Sequence, residues 1–273
     1  MASSVSQQAY NSAVEKLSAE TGSATAAQLA TVADEILSVA GLLRAQPGLR
    51  RALTDPSRAG SDRAELLRSL LSGKLSAATV ETVTTLVAGR FSRPTELLNV
   101  TERLGAEVVL RSAEKAGALA DVEDELFRFG QIVSGNAELA VTLSDPGAPT
   151  ADRVKLVEDL LKGKVQPATL RLVEVALEGF LGRTFDSSLT RLVELTAAKR
   201  DREVAYVTVA RPLSDADEQA LTAKLSELYD RPVSLKLSID PSVLGGVSVQ
   251  IGADLYDGTI LSRLNAARQA FAK

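Results

Sequence analysis

Residues 53–89 read LTDPSRAGSDRAELLRSLLSGKLSAATVETVTTLVAG, and residues 143–179 read LSDPGAPTADRVKLVEDLLKGKVQPATLRLVEVALEG. At an offset of 90 they share 14 identities in 37 positions, from Leu53 and Asp55-Pro56 on Leu143 and Asp145-Pro146 to Gly89 on Gly179. Chance gives only a few, and a period this long marks a repeated supersecondary unit. Upstream, Val32, Asp34 and Glu35 fall on Val122, Asp124 and Glu125. The two copies therefore divide the chain at about 1–100 and 101–200.

Each copy reads as helices. Val32, Ile36, Val39 and Leu43 are spaced by four, three and four residues, and Val122, Leu126, Phe129 and Val133 repeat that apolar face. Asp55-Pro56 and Asp145-Pro146 read as a helix start or turn. Asp62 with Glu65 reads as a capping box for a helix that ends near Gly73, whereas Asp152 is followed by Lys155 and keeps only the cap. One bundle per copy is the economical architecture.

Near residue 200 the period changes. Val204, Tyr206, Val207 and Val209 form a β-branched run, and Ser214 with Asp217 caps a helix carrying Leu221, Leu225 and Leu228 on one face. Val233, Leu235, Leu237 and Ile239 alternate with Ser234, Lys236 and Ser238, a half-buried strand. Gly245-Gly246 leads into Val247, Val249 and Ile251, a third strand expected to form a hairpin with the second. Ile260, Leu261, Leu264 and Phe271 lie on a closing helix. The expected fold is α+β, mainly α: two tandem helical bundles, 1–100 and 101–200, then a small β-α-β-β-α domain at 201–273, covered on one face by helices.

Composition narrows the function. The 273 residues include no His and no Cys. Disulfides, thiolate chemistry, the Ser-His-Asp arrangement and the commonest transition-metal ligands are thereby removed. The formal charge is -4 and the basic residues are scattered, so no stripe marks a nucleic-acid partner. Met1–Val14 is charge-free but carries Ser, Gln and Asn instead of the apolar run of a signal peptide or span. The expected location is inside the cell, with any membrane association passing through a partner.

The motifs that suggest chemistry have plainer readings. Gly73-Lys74 and Gly163-Lys164 lack the remaining positions of a phosphate-binding loop and read as helix C-termini. Gly245-Gly246 is followed by a strand and not by a helix, so it is a turn. Asp121, Glu123, Asp124 and Glu125 fan around a helix instead of converging, which reads as a solvated face. Lys199-Arg200 and Arg202 read as a linker at a domain boundary. No catalytic, cofactor-binding or metal-binding residue is expected.

The tail then carries a resemblance. Val207-Thr208-Val209-Ala210-Arg211-Pro212-Leu213-Ser214, Ile239-Asp240-Pro241-Ser242-Val243-Leu244-Gly245-Gly246, Ile251-Gly252, Asp257-Gly258-Thr259 and Arg263-Leu264 resemble the C-terminal region of the F-type ATP synthase δ subunit family. That family is the bacterial equivalent of the oligomycin sensitivity conferral protein. The copy with Leu143-Ser144-Asp145-Pro146 and Gly182-Arg183 is similar to the family's helical domain, and the match covers about 101–273. The extra copy at 1–100 resembles the long, duplicated forms of actinobacteria.

The resemblance implies a non-catalytic stator subunit of a proton-translocating ATP synthase, attached to the cytoplasmic face of the cell membrane through the complex. The helical domain would hold the N-terminal helices of the α subunits. The C-terminal domain would hold the end of the b subunit, with Ile260, Leu264 and Phe271 as candidate contacts. Leu172 and Val175 are the candidates for the α-subunit helix. They replace Thr82 and Thr85 on the side of their helix opposite Leu170, Val173, Leu177 and Phe180, and a helix apolar all round needs covering all round. The alternative is that another part of this chain covers that side. Two other classes stay open: a cytosolic helical-repeat adaptor unrelated to ATP synthase, and a hydrolase built on Asp and Lys.

Overall fold

In the computed structural model, which describes residues 4–262 and Leu264, the repeat is written into the element bounds. α1 (Ser4–Thr21), α2 (Ala26–Ala45), α3 (Pro47–Thr54), α4 (Gly60–Leu71) and α5 (Ala77–Ala88) are followed by α6 (Pro94–Lys115). Then come α7 (Leu119–Ser134), α8 (Ala137–Ser144), α9 (Thr150–Leu161), α10 (Pro167–Leu177) and α11 (Phe185–Lys199). Shifted by 90 residues, α3 and α4 coincide with α8 and α9. Gly73 and Gly163 both have φ of +76°, closing α4 and α9 in the left-handed conformation that Gly adopts without strain.

The copies also share a tertiary cap. Glu35 of α2 accepts hydrogen bonds from the Ser76 amide and from the hydroxyls of Ser76 and Thr79, at the start of α5. Glu125 of α7 accepts from the Gln166 amide and the Thr169 hydroxyl, at the start of α10. A carboxylate at a helix N-terminus satisfies unpaired amides and complements the helix dipole. Asp62 is not the cap expected for α4: Ala59 holds that position and Asp62 lies in the first turn. Asp55 and Asp145 close turns, accepting from the amides of Ser57 and Gly147.

The shift also carries α1 onto α6 and α6 onto α11. α6 is thus the last helix of the first bundle and the first helix of the second. It packs on α2 and α3 and also on α10, and Val100, Thr101, Glu102, Leu104, Gly105, Ala106, Val108, Val109 and Leu110 are buried around most of its circumference, with Arg103 and Glu107 on the remaining side. A division at residue 100 falls inside this helix, and one apolar core runs from Ala9 to Val204. α2 is long and apolar enough to cross a membrane by length and composition, but Leu29, Val32, Ile36, Val39 and Leu43 are buried in this core.

Beyond α11 come β1 (Glu203–Val209), α12 (Asp215–Tyr229), β2 (Val233–Ile239), β3 (Val247–Ile251) and β4 (Asp254–Asp257), in a sheet of order β2-β1-β3-β4. β2 runs parallel to β1, joined through α12, and β3 pairs antiparallel with β1. The expected hairpin between β2 and β3 is absent. Residues 240–246 hold a single 3-10 turn, Pro241–Val243, and carry the chain past the end of β1 to its free edge. The true hairpin is β3 with β4, a strand the sequence reading missed. Leu221 and Leu225 of α12 cover one face of the sheet, while Leu228 faces solvent. The other face is not solvated either, because Val204 and Tyr206 pack into the core of the helical body.

Candidate partner-binding surfaces

Leu172 and Val175 are 0% and 3% exposed, so the expected docking face does not exist as a surface. α10 packs against α6, α7, α9 and α11, and these helices cover both its sides. The equivalent helix α5 lies between α1 and α4, where Thr82 is fully buried too. Its hydroxyl suggests an open side in the sequence, but small β-branched Thr fits inside a helical core. Thr84 and Thr85 return their hydroxyl protons to the carbonyls of Val80 and Glu81.

Charged bridges tie the two bundles across α6. Arg171 of α10 reaches Asp34 of α2 at 2.7 Å and Glu174 at 2.7 Å. Arg44 of α2 bonds the buried Glu102 at 2.7 Å and also pairs with Glu178. Burial holds the carboxyls of Glu102 and Glu174 above their ordinary range, against the lowering effect of these arginines. Beside the Arg171 bridge lies an open cleft of about 510 Å³, with Ala30, Ala33, Val109 and Leu170 in its walls.

Of the four carboxylates at the start of α7, Asp121 and Asp124 are exposed as expected, but Glu123 is buried and Glu125 half-buried. Glu123 is 0% exposed and lies 2.9 Å from Lys236 Nζ, with Arg200 Nη1 at 2.5 Å on its other oxygen. Asp124 pairs with the same lysine at 2.5 Å, Glu125 caps α10, and Asp121 accepts from Gln166. Arg200 and Lys199 are therefore anchored and not linker residues, Lys199 holding Glu107 at 2.9 Å. The sequence signal that could have revealed this is Lys236, set between Ser234 and Ser238 in the middle of a strand. Among the described residues no group of three or more Asp or Glu could hold a metal ion.

At the end of the C-terminal domain where Gly245 approaches the Ile260 side chain, Leu244 is exposed, with Ile260 at 46% and Leu264 at 42%; Leu255 and Tyr256, neighbours on β4, are exposed on opposite faces of the sheet. Phe271 lies outside the described residues. The Gly245-Gly246 turn builds this end. Gly246 has φ of +79°, and a β-carbon on it would meet the Gly258 carbonyl oxygen at 2.4 Å, so only Gly allows the backbones to close. The Gly245 carbonyl then accepts from the Ile260 amide at 2.9 Å. The Tyr229 hydroxyl donates to Asp254 at 2.9 Å and lies 3.2 Å from that of Tyr256. Its bonds to Tyr256 and Asp254 hold the Tyr229 proton on well above the usual phenol range. Leu255 and Tyr256 escaped the sequence reading with the strand that carries them. On the helical body the most exposed large apolar side chains are Val141 and Ile132.

The family model of the ATP synthase delta (OSCP) subunit matches residues 102–271. The match begins inside α6, the helix shared by the two bundles, and leaves α1 to α5 as the added part. Over its full length the chain is 56% identical to the ATP synthase subunit delta of Salinispora arenicola (strain CNS-205), covering 100% of both proteins. It is 41% identical to the ATP synthase subunit delta of Streptomyces griseus subsp. griseus, covering 98% of this chain and 99% of that one. Both relatives thus extend across the first bundle. The chain belongs to the ATP synthase delta (OSCP) subunit family.

Proposed function

We propose that this chain is the stator joint of an F-type ATP synthase, a non-catalytic peripheral-stalk subunit that stops the catalytic head from turning with the rotor. The helical body holds the N-terminal helices of the α subunits, and the C-terminal domain holds the end of the b subunit through its exposed apolar side chains Leu244, Leu255, Ile260 and Leu264. The chain then sits at the cytoplasmic face of the cell membrane through the complex. The head contact uses side chains on the outside of the helical body, since Leu172 and Val175 are in its core.

The observation that carries this division is the separation of roles in the fold. Residues 4–200 form one stiff body with a shared helix, while the C-terminal domain has its own core and exposes apolar side chains of its own. Two modest contacts on one chain combine by effective concentration to exceed either alone, as a joint under torque requires. Co-purification from detergent-solubilised membranes tests the reading: α and b subunits should both accompany the tagged chain, and recovery of neither would refute it.

A further inference from the structure

We propose that the C-terminal domain is a docked module able to leave the helical body as a unit, and that Glu123 and Lys236 are the latch that holds it. The two faces of its sheet differ in chemistry. Toward α12, Ala205, Val207, Val209, Val249 and Ile251 close an apolar core with Leu225, independent of the helical body. Toward α7, beside the apolar contacts of Val204 and Tyr206, lies a polar set. Lys236 meets Glu123 and Asp124, Ser234 donates to Glu123 at 2.6 Å, and Gln131 donates to Ser238 at 2.9 Å. Phe127 is the aromatic anchor, 6.3 Å from Tyr206 between ring centroids and with Lys236 Nζ 5.8 Å above its ring. Such a boundary resembles an interface between partners more than the inside of a domain.

The contact is also narrow. Clefts of about 870 Å³, bordered by Arg191, Arg202 and Arg231, and about 200 Å³, bordered by Gln131 and Asp186, open on either side of Tyr206. The Tyr206 hydroxyl is buried without a hydrogen-bond partner. The chain crosses from α11 to β1 in three residues, with Asp201 at φ +55°, a short hinge.

The latch makes docking two-state. Glu123 is 0% and Lys236 2% exposed, and a charge in such a place is tolerated only with its partner. Docked, Glu123 is held by Lys236 and Arg200, and Lys236 by Glu123 and Asp124; undocking takes both carboxylates from Lys236 at once and leaves water to hydrate it. Within the helical body Glu123 bonds Arg200, just past the end of α11. Its counterpart 90 residues earlier is Ala33, buried in the same helix position of the first copy, so Glu123→Ala installs a residue that this architecture already accepts.

The test is limited proteolysis of the full chain by trypsin, following cleavage after Arg200 and Arg202 by mass spectrometry, with far-UV circular dichroism melting of each variant. Wild type should resist cleavage there. Glu123→Ala and Lys236→Ala should each be cut at least about tenfold faster, because cleavage follows the open population and each change breaks the buried pair, leaving Lys236 only the exposed Asp124 or Glu123 only Arg200. Their helical melts should stay cooperative. Glu123→Ala with Lys236→Met, which takes both buried charges away and leaves only the more exposed Arg200 and Asp124 without these partners, should regain most of that protection. Unchanged cleavage in both single variants, no recovery in the double variant, or a lost helical melt in Glu123→Ala would each overturn the latch.

Discussion

Gly105 of α6 lies directly beneath Leu37 of α2: a β-carbon on the glycine would stand 2.5 Å from Leu37 Cδ2 and 2.7 Å from its Cγ. This close approach lets α2 settle on α6, and it fixes the spacing within the first bundle. Gly105→Val should therefore lower the stability of the chain by about 1–3 kcal/mol, the usual cost of overpacking. Adding Leu37→Ala should return part of that loss. Chemical denaturation of the two variants checks this, and because α6 belongs to both bundles, the whole helical transition should shift as one.

Thr82 and Leu172 give a second check on how the helices are covered. The Thr82 hydroxyl is buried without a hydrogen-bond partner, so Thr82→Val, nearly equal in shape, should stabilise the chain by about 1 kcal/mol. Leu172→Asp should cost at least about 3 kcal/mol, since it places a carboxylate in a closed apolar core. Thermal melts of the two variants should move in opposite directions.

Glu35 links stability to pH. Burial opposes ionisation of its carboxyl, but the hydrogen bonds from Ser76 and Thr79 outweigh it and hold the group below its ordinary 4.5. A carboxyl depressed on folding contributes stability above its unfolded value and loses it as pH falls through the folded one. Glu35→Gln should thus cost about 1 kcal/mol at pH 7, as lost caps do, and flatten the acid limb of the stability curve below about pH 4.5. Urea titrations at pH 7 and pH 4 measure both effects.

The exposed apolar side chains of the C-terminal domain should behave as a surface and not as core. Leu255→Asp and Ile260→Asp replace exposed side chains, and surface changes of this kind usually stay within about 0.5 kcal/mol. Their melting curves should overlay the wild type, while binding to a peptide from the C-terminal end of the b subunit, followed by calorimetry, should be lost.

Much of this fold is legible in the sequence because it repeats. Matching residues 53–89 with 143–179 locates α4 and α9 and the glycine that ends each, and β-branched alternation locates β1 and β2. Order in the sheet is not legible, since periodicity places a strand and says nothing of its neighbours; the parallel pairing of β1 with β2 follows from the crossover through α12. The misreadings share a cause. Glu123 and Thr82 carry polar groups, which in sequence assigns each to solvent, yet Lys236 draws the first into the interior and the packing of α1 and α4 around α5 encloses the second. Leu172 and Val175 read as an unfilled face because periodicity shows that a side is apolar and not which helices cover it; α6, α7, α9 and α11 pack around α10.

The most direct test of the stator joint is ATPase retention on membranes. Membranes stripped of this chain and of the catalytic head are reloaded with head and either wild-type chain or the variant carrying Leu255→Asp, Ile260→Asp and Leu264→Asp, then washed at low ionic strength. The account predicts that wild type keeps the ATPase on the membrane, while the variant binds free head normally and releases it in the wash. Equal retention with both would contradict the assignment of these C-terminal side chains to the stalk and, with it, the joint itself.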